Sequence, residues 1–215
     1  LVATQPDLGT SILIASGGIV VAWLAGVRAK FFIYSGVAMI ALLPIAISFL
    51  KPYQKSRILT FLNPERDPLG AGYQIIQSKI AIGSGGLFGK GFLNGSQSYL
   101  DYLPEKHTDF IFTLFSEEFG FFGSLFILLL YALIISRIIR IGNMTRSNFG
   151  KLYCYSFATA FFIYVVVNMM MVLGLLPIVG SPLPILSYGG SSMLAIMFGL
   201  GIVMSCKIYK DVPVN

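Results

Sequence analysis

Charge is scarce in this chain of 215 residues. Only 11% of the residues are charged, whereas 56% are hydrophobic and the mean hydropathy is +0.81. Soluble domains carry about 25% charged residues, so a soluble fold of this size would lack the polar groups to cover its surface. The composition therefore excludes an ordinary soluble protein and predicts an integral membrane protein.

Cysteine and histidine are equally scarce. Cys154 and Cys206 lie inside apolar segments, and His107 is the single histidine. These residues are too few for a zinc site of the usual kind, so a hydrogen bond from His107 to a nearby carboxylate is the better interpretation. The net charge is +6, but the basic residues stand in small groups between apolar runs. Without a continuous basic patch, nucleic-acid binding is not predicted.

Long apolar segments dominate the chain. A helix needs about 20 apolar residues to cross the hydrocarbon core of a membrane, and in lipid its backbone must satisfy its own hydrogen bonds. The sequence therefore predicts an all-α, polytopic membrane protein with about five transmembrane helices in a single domain, residues 1–215. Their predicted positions are residues 8–27, 31–50, 119–135, 152–176 and 185–206.

The charges divide the connections between these segments into two groups. The short connections after the first, third and fifth segments carry eight basic residues and one acidic residue. Residues 51–118 carry seven of each. The positive-inside rule assigns the first group to the cytoplasm, together with the C-terminus. Residues 51–118 are then a large extracytoplasmic loop, which we expect to contain short helices.

A glycine-rich run, residues 83–91, follows a helix-like apolar piece within this loop. The run fails the phosphate-loop pattern in two places. Ser84 stands where the first glycine is required, and Gly91 stands where serine or threonine is required. Turns and close approaches of the backbone explain these glycines better.

Asp109 lies where the polar end of the loop runs into apolar residues. This position predicts that Asp109 sits at or just within the membrane boundary. Ionisable groups there are costly in free energy and are therefore functional candidates. The residues alone leave two interpretations open: Asp109 is a general base, or it caps a helix or pairs with Lys106. Glu117 and Glu118 are interpreted as complementing a helix dipole, and Asp7 as capping the first helix.

Eight motifs in the chain carry a resemblance to one family. They are QPDLGT at residues 5–10, NPERDPLGAGYQ at 63–74, QSKIAIGSGG at 77–86, LPEKHTDFIF at 103–112, EEFG at 117–120, GLLP at 174–177, PLP at 182–184 and SYGGSS at 187–192. Together they resemble the SEDS family, the shape, elongation, division and sporulation proteins, over essentially the whole chain. GSPLP at 180–184 and GIVMS at 201–205 are more similar to the RodA branch than to the FtsW branch.

The resemblance implies a fold of ten transmembrane helices, of which this chain would supply the last five. The chain also begins without methionine or a visible signal peptide. We therefore expect it to be the C-terminal half of a longer protein and to be inactive alone. The implied location is the bacterial inner membrane, and the implied partners are a class B penicillin-binding protein and other membrane proteins of the elongation complex.

The activity that the resemblance implies is peptidoglycan glycosyl transfer, in which lipid II is polymerised into glycan strands during cell elongation and cell-shape maintenance. Asp109 matches the family's essential aspartate, with the expected role of general base. The pyrophosphate leaving group needs positive charge, from lysines including Lys90 or from a divalent cation, Mg or Mn. Residues expected to bind substrate or to order the cavity are Asp7, Lys79, Gln97, Ser98, Glu105, Lys106, His107, Glu118 and Ser187.

Two other functions are alternatives to the glycosyltransferase. A lipid II flippase would need polar groups throughout the depth of the membrane, but Asn168 is the one obvious polar side chain in the fourth segment, alongside small hydroxyls. A non-enzymatic scaffold for a penicillin-binding protein would leave the position of Asp109 unexplained. Both alternatives are therefore less well supported by the sequence.

Overall fold

The structure is a computed structural model that describes residues 8–49, 52–67, 70–95 and 107–211. Every regular element within these ranges is helical, which confirms the predicted all-α class. The elements are α1 (Leu8–Leu24), α2 (Ala29–Phe49), α3 (Pro52–Leu62), a short 3-10 helix (Pro64–Arg66), α4 (Ala71–Gly85), α5 (Ile111–Met144), α6 (Asn148–Val172) and α7 (Gly190–Ile208).

Three of these helices are long and apolar enough to cross a membrane, namely α5, α6 and α7. Two shorter apolar stretches, Gly9–Leu24 and Ala29–Leu42, overlap the first two predicted spans. Large apolar side chains on these stretches are well exposed, among them Phe31 and Ile40. Such faces suit contact with lipid or with other membrane helices.

The bounds of the last three helices differ from the predicted spans. Helix α5 begins at Ile111 instead of residue 119, so the predicted loop 51–118 contains α3, α4 and the first turns of α5. Helix α6 ends at Val172 instead of residue 176 because Gly174, with φ +67°, turns the chain away. Helix α7 begins at Gly190 instead of residue 185, since Ile185 has a left-handed φ of +70°.

The core lies where α5, α6 and α7 meet. At one end, aromatic and aliphatic side chains of α5 and α6 pack with Leu183, and the hydroxyl of Tyr131 donates a 2.6 Å hydrogen bond to the carbonyl of Pro184. At the other end, a second cluster contains Cys154 and Val203. Helix α1 packs against α6, and α4 packs against α5.

Helix α5 is broken at Gly120, where φ is +66° and ψ is −160°. The glycine-rich run satisfies the backbone groups that this break leaves free. The N–H groups of Lys90 and Gly91 donate to the carbonyls of Glu117 and Glu118, each at 3.0 Å. In return, the N–H groups of residues 121 and 122 donate to the carbonyls of residues 86 and 87, at 2.9 and 3.2 Å.

The glycines of this run permit that close approach. A Cβ atom on Gly85 would collide with the carbonyl oxygen of Ser116, and one on Gly89 with the carbonyl of Glu118. Gly89 also has a φ of +79°, which glycine adopts at little cost. The interpretation as turn and close-approach positions is confirmed for Gly85 and Gly89.

Candidate functional site

Asp109 lies in the turn that leads into α5, and its side chain is half-buried. The N-cap position of α5 is taken by Phe110, which makes no side-chain cap. Asp109 therefore lies one residue before the N-cap position of this helix. The alternative partner, Lys106, lies outside the described residues.

Three successive main-chain carbonyls around Asp109, those of residues 107–109, each accept one hydrogen bond. The carbonyl of residue 107 accepts from the N–H of Tyr188 at 2.9 Å. The carbonyl of residue 108 accepts from the hydroxyl of Ser187 at 2.6 Å. The carbonyl of Asp109 itself accepts from the side-chain amide of Asn168 at 2.8 Å. The turn that carries Asp109 is thus held from two sides.

Ser187 and Tyr188 belong to the chain between α6 and α7, residues 173–189, which we call the final loop. The Ser187 hydroxyl also accepts a hydrogen bond from the N–H of Leu183 at 2.6 Å, so one hydroxyl connects two segments. Ser187 is 5% exposed, which protects both bonds from competition with water. Its predicted role as a cavity-ordering residue is consistent with these contacts.

The carboxylate of Asp109 lies beside Gly180 of the final loop. A Cβ atom placed on Gly180 would lie 3.5 Å from Oδ2 of Asp109, and Gly180 has a φ of +71°. The backbone of the loop can therefore pass close to the carboxylate without a side chain between them.

An open cavity of about 630 Å³ adjoins this turn. His107 lines it, together with the end of the final loop and the first residues of α7. A volume of this size lies in the range of small-molecule sites, about 300–1,000 Å³. A second cavity of about 240 Å³, between α6, α7 and Leu183, is mainly apolar.

The other predicted site residues divide into three groups. His107 and Ser187 adjoin Asp109, as described above. Lys79 lies on the exposed side of α4 against Gly174, and Glu118 is half-buried at the break in α5. The remaining ones lie outside the described residues: Asp7, Gln97, Ser98, Glu105 and Lys106.

Glu117 has a burial and an ion pair that its sequence position did not predict. It does not lie at the start of a helix but inside α5, where its side chain is fully buried. Its Oε1 atom accepts a 2.6 Å ion-paired hydrogen bond from Nζ of Lys90. The helix-dipole interpretation of Glu117 is therefore wrong, and Lys90 has a carboxylate partner that the sequence did not indicate.

Asn168 was noticed as a polar residue in an apolar span, but no role was predicted for it. The structure brings it to Asp109 across 59 positions of sequence. No three His, Cys, Asp or Glu side chains within the described ranges lie together as metal ligands.

Comparisons with known proteins agree with the motifs. The family model of the FtsW, RodA and SpoVE cell cycle proteins matches residues 1–211. The peptidoglycan glycosyltransferase MrdB of Escherichia coli K12 is 51% identical over 211 residues, which cover 98% of this chain and 57% of MrdB. A probable peptidoglycan glycosyltransferase FtsW from Trichlorobacter lovleyi is 43% identical, with 95% of this chain and 53% of that protein covered.

A solved structure supports the same relationship. One chain of a peptidoglycan synthase complex that coordinates polymerization and crosslinking matches with a TM-score of 0.78 and 36% identity. The match covers 98% of this chain and 58% of that one. The chain thus spans about half the length of the curated relatives it matches. Fold, motifs and relatives agree, and the chain belongs to the family of FtsW, RodA and SpoVE cell cycle proteins.

Proposed function

We propose that this protein acts in a peptidoglycan glycosyltransferase that polymerises lipid II into glycan strands during cell elongation. The observation that carries the proposal is a half-buried carboxylate, Asp109, on a turn whose backbone is held by hydrogen bonds and whose His107 lines an open cavity. Two relatives that match nearly the whole chain are named as peptidoglycan glycosyltransferases, one of them as probable.

The proposed reaction uses Asp109 as the general base. Its carboxylate takes the proton from the 4-hydroxyl of the acceptor sugar as that oxygen attacks the anomeric carbon of the donor. A new glycosidic carbon–oxygen bond forms, and the bond from the anomeric carbon to undecaprenyl pyrophosphate breaks. The leaving pyrophosphate keeps the electron pair of the broken bond.

A rigid turn suits this role because proton transfer requires a fixed distance between base and hydroxyl. Displacements of about 1 Å at a reacting group cost about 100-fold in rate. The hydrogen bonds to residues 107–109 reduce such displacements. Lys79 and Lys106 remain candidates for neutralising the pyrophosphate, whereas Lys90 is already paired with Glu117.

The proposed setting is the inner membrane of a bacterium, with residues 51–118 facing the periplasmic side and the C-terminus in the cytoplasm. The lipid tail would then stay in the bilayer while the sugars reach Asp109. A class B penicillin-binding protein is the proposed partner. A relative in a complex that coordinates polymerization with crosslinking supports this pairing.

The test is a polymerisation assay on the full-length protein, purified with its partner and supplied with labelled lipid II. We expect the wild type to make long glycan strands on a gel and the Asp109→Asn variant to make none. Glu65→Gln, which changes an exposed acid in the 3-10 helix, is the matched control and should retain activity. Normal polymerisation by Asp109→Asn would refute the role of Asp109. A wild type that moves lipid II across vesicles without polymerising it would favour the flippase.

A further inference from the structure

Asn168 is a fully buried amide in an otherwise apolar part of α6. Its Nδ2 atom uses both hydrogens, one toward the carbonyl of Asp109 at 2.8 Å and one toward the carbonyl of Ser181 at 2.7 Å. The orientation of the amide is therefore determined, because the reverse orientation would set Oδ1 against two carbonyl oxygens. One side chain thus connects the turn of Asp109 to the final loop.

This arrangement is costly for a purely structural contact. Among the described residues, Oδ1 of Asn168 and Oγ of Ser181 are buried without a hydrogen-bond partner. A buried polar atom without a partner destabilises the fold, and a leucine of similar size at this position would avoid that cost. The amide remains useful because its two donors fix the positions of two loops relative to each other.

Ser187 supports the same turn from the final loop. It donates to the carbonyl of residue 108 and accepts from the N–H of Leu183. Both Asn168 and Ser187 bind main-chain atoms, and the carboxylate of Asp109 points to Gly180. Neither bond therefore consumes a lone pair of the carboxylate that the proposed reaction requires.

We propose that Asn168, assisted by Ser187, is a positioning residue for Asp109. This inference rests on the proposed function, in which Asp109 is the general base. Asn168 acts through the backbone of Asp109 and does not touch the substrate. Its loss should therefore reduce turnover while substrate binding is retained.

The decisive variant is Asn168→Leu in the full-length protein with its partner, assayed with labelled lipid II. We expect kcat to fall about 10- to 100-fold, with KM unchanged to within about twofold. Ser187→Ala should also lower kcat, by a smaller factor, and leave KM unchanged. Ser187→Thr, which retains a hydroxyl, should recover most of the lost turnover.

Ser78→Ala is the matched control for a structural loss. The Ser78 hydroxyl is also fully buried and also makes two hydrogen bonds, to Val172 and Thr113, each at 2.7 Å. It joins α4 to α5 and α6 without a hydrogen bond to residues 107–109. The control should therefore lose thermal stability but keep its kcat.

The outcomes separate the two proposals. If Asp109→Asn abolishes polymerisation while Asn168→Leu has the kcat of the Ser78→Ala control, Asn168 is not a positioning residue. The proposed role of Asp109 as general base is then retained. If Asp109→Asn polymerises normally, the proposed function itself fails. If Asn168→Leu cannot be purified as a folded complex, the Ser187 variants decide, and a normal kcat in Ser187→Ala overturns the inference.

Discussion

The ion pair between Lys90 and Glu117 allows a sharp test of how the glycine-rich run is attached to α5. The side chain of Glu117 is fully buried, whereas that of Lys90 is 29% exposed. Lys90→Met removes the cation but retains most of the aliphatic stem, so the carboxylate of Glu117 is left buried without its cation. The Ser84 hydroxyl, 3.5 Å from the same oxygen, is a weak neutral contact and does not replace the cation.

Removing one partner of a buried ion pair costs about 3–5 kcal/mol. Since Lys90 is partly exposed, water reduces the loss, and we expect about 2–3 kcal/mol. At about 2–4 °C per kcal/mol, the melting temperature should fall by at least about 4 °C. The double variant Lys90→Met with Glu117→Gln should recover part of this loss, because the buried group is then neutral.

The assay is thermal unfolding of the full-length protein in detergent, followed by intrinsic fluorescence and by loss of the monodisperse peak. Lys55→Met, which removes an exposed lysine from α3, is the control and should melt like the wild type. If Lys90→Met has the same melting temperature as the control, the ion pair does not stabilise the fold and the prediction is refuted. It is also refuted if the double variant is less stable than Lys90→Met, since the loss would then not come from an isolated buried charge.

Two further predictions concern the core and the helix break. Gly120→Ala should destabilise the fold by at least about 1–3 kcal/mol, since Gly120 has φ +66° and a Cβ atom there would collide with Gly89. Its control is Gly36→Ala, at an open helical position, which should leave the melting temperature unchanged in the same assay. Tyr131→Phe removes the hydrogen bond to Pro184 and should cost about 1 kcal/mol. An unchanged melting temperature for either Gly120→Ala or Tyr131→Phe would contradict the corresponding packing argument.

The break at Gly120 also explains why a membrane helix can begin inside a polar loop. The first turns of α5 contain Glu117 and the buried hydroxyl of Ser116, which are unsuited to lipid. The Ser124 hydroxyl donates to Oγ of Ser116 at 2.9 Å across the break. With the backbone groups taken up by the glycine-rich run, the polar segment before Gly120 is satisfied within the protein.

The sequence by itself determined the membrane class, the apolar helices, the family and the role of the glycines. These features depend on composition, on long apolar runs and on local motifs, which are readable residue by residue. The start of α5 at Ile111 was missed because hydropathy reports transfer into lipid and not helix formation. Glu117 was assigned to a helix end for the same reason.

Only the tertiary structure decided which groups meet around Asp109. Asn168 lies 59 positions from Asp109, and Ser187 lies 79 positions from Thr108. No helical periodicity relates such distant positions, since hydropathy and spacing describe one segment at a time. The packing of α6 and the course of the final loop bring them together, and through these bonds a polar residue in an apolar helix holds the proposed catalytic turn in place.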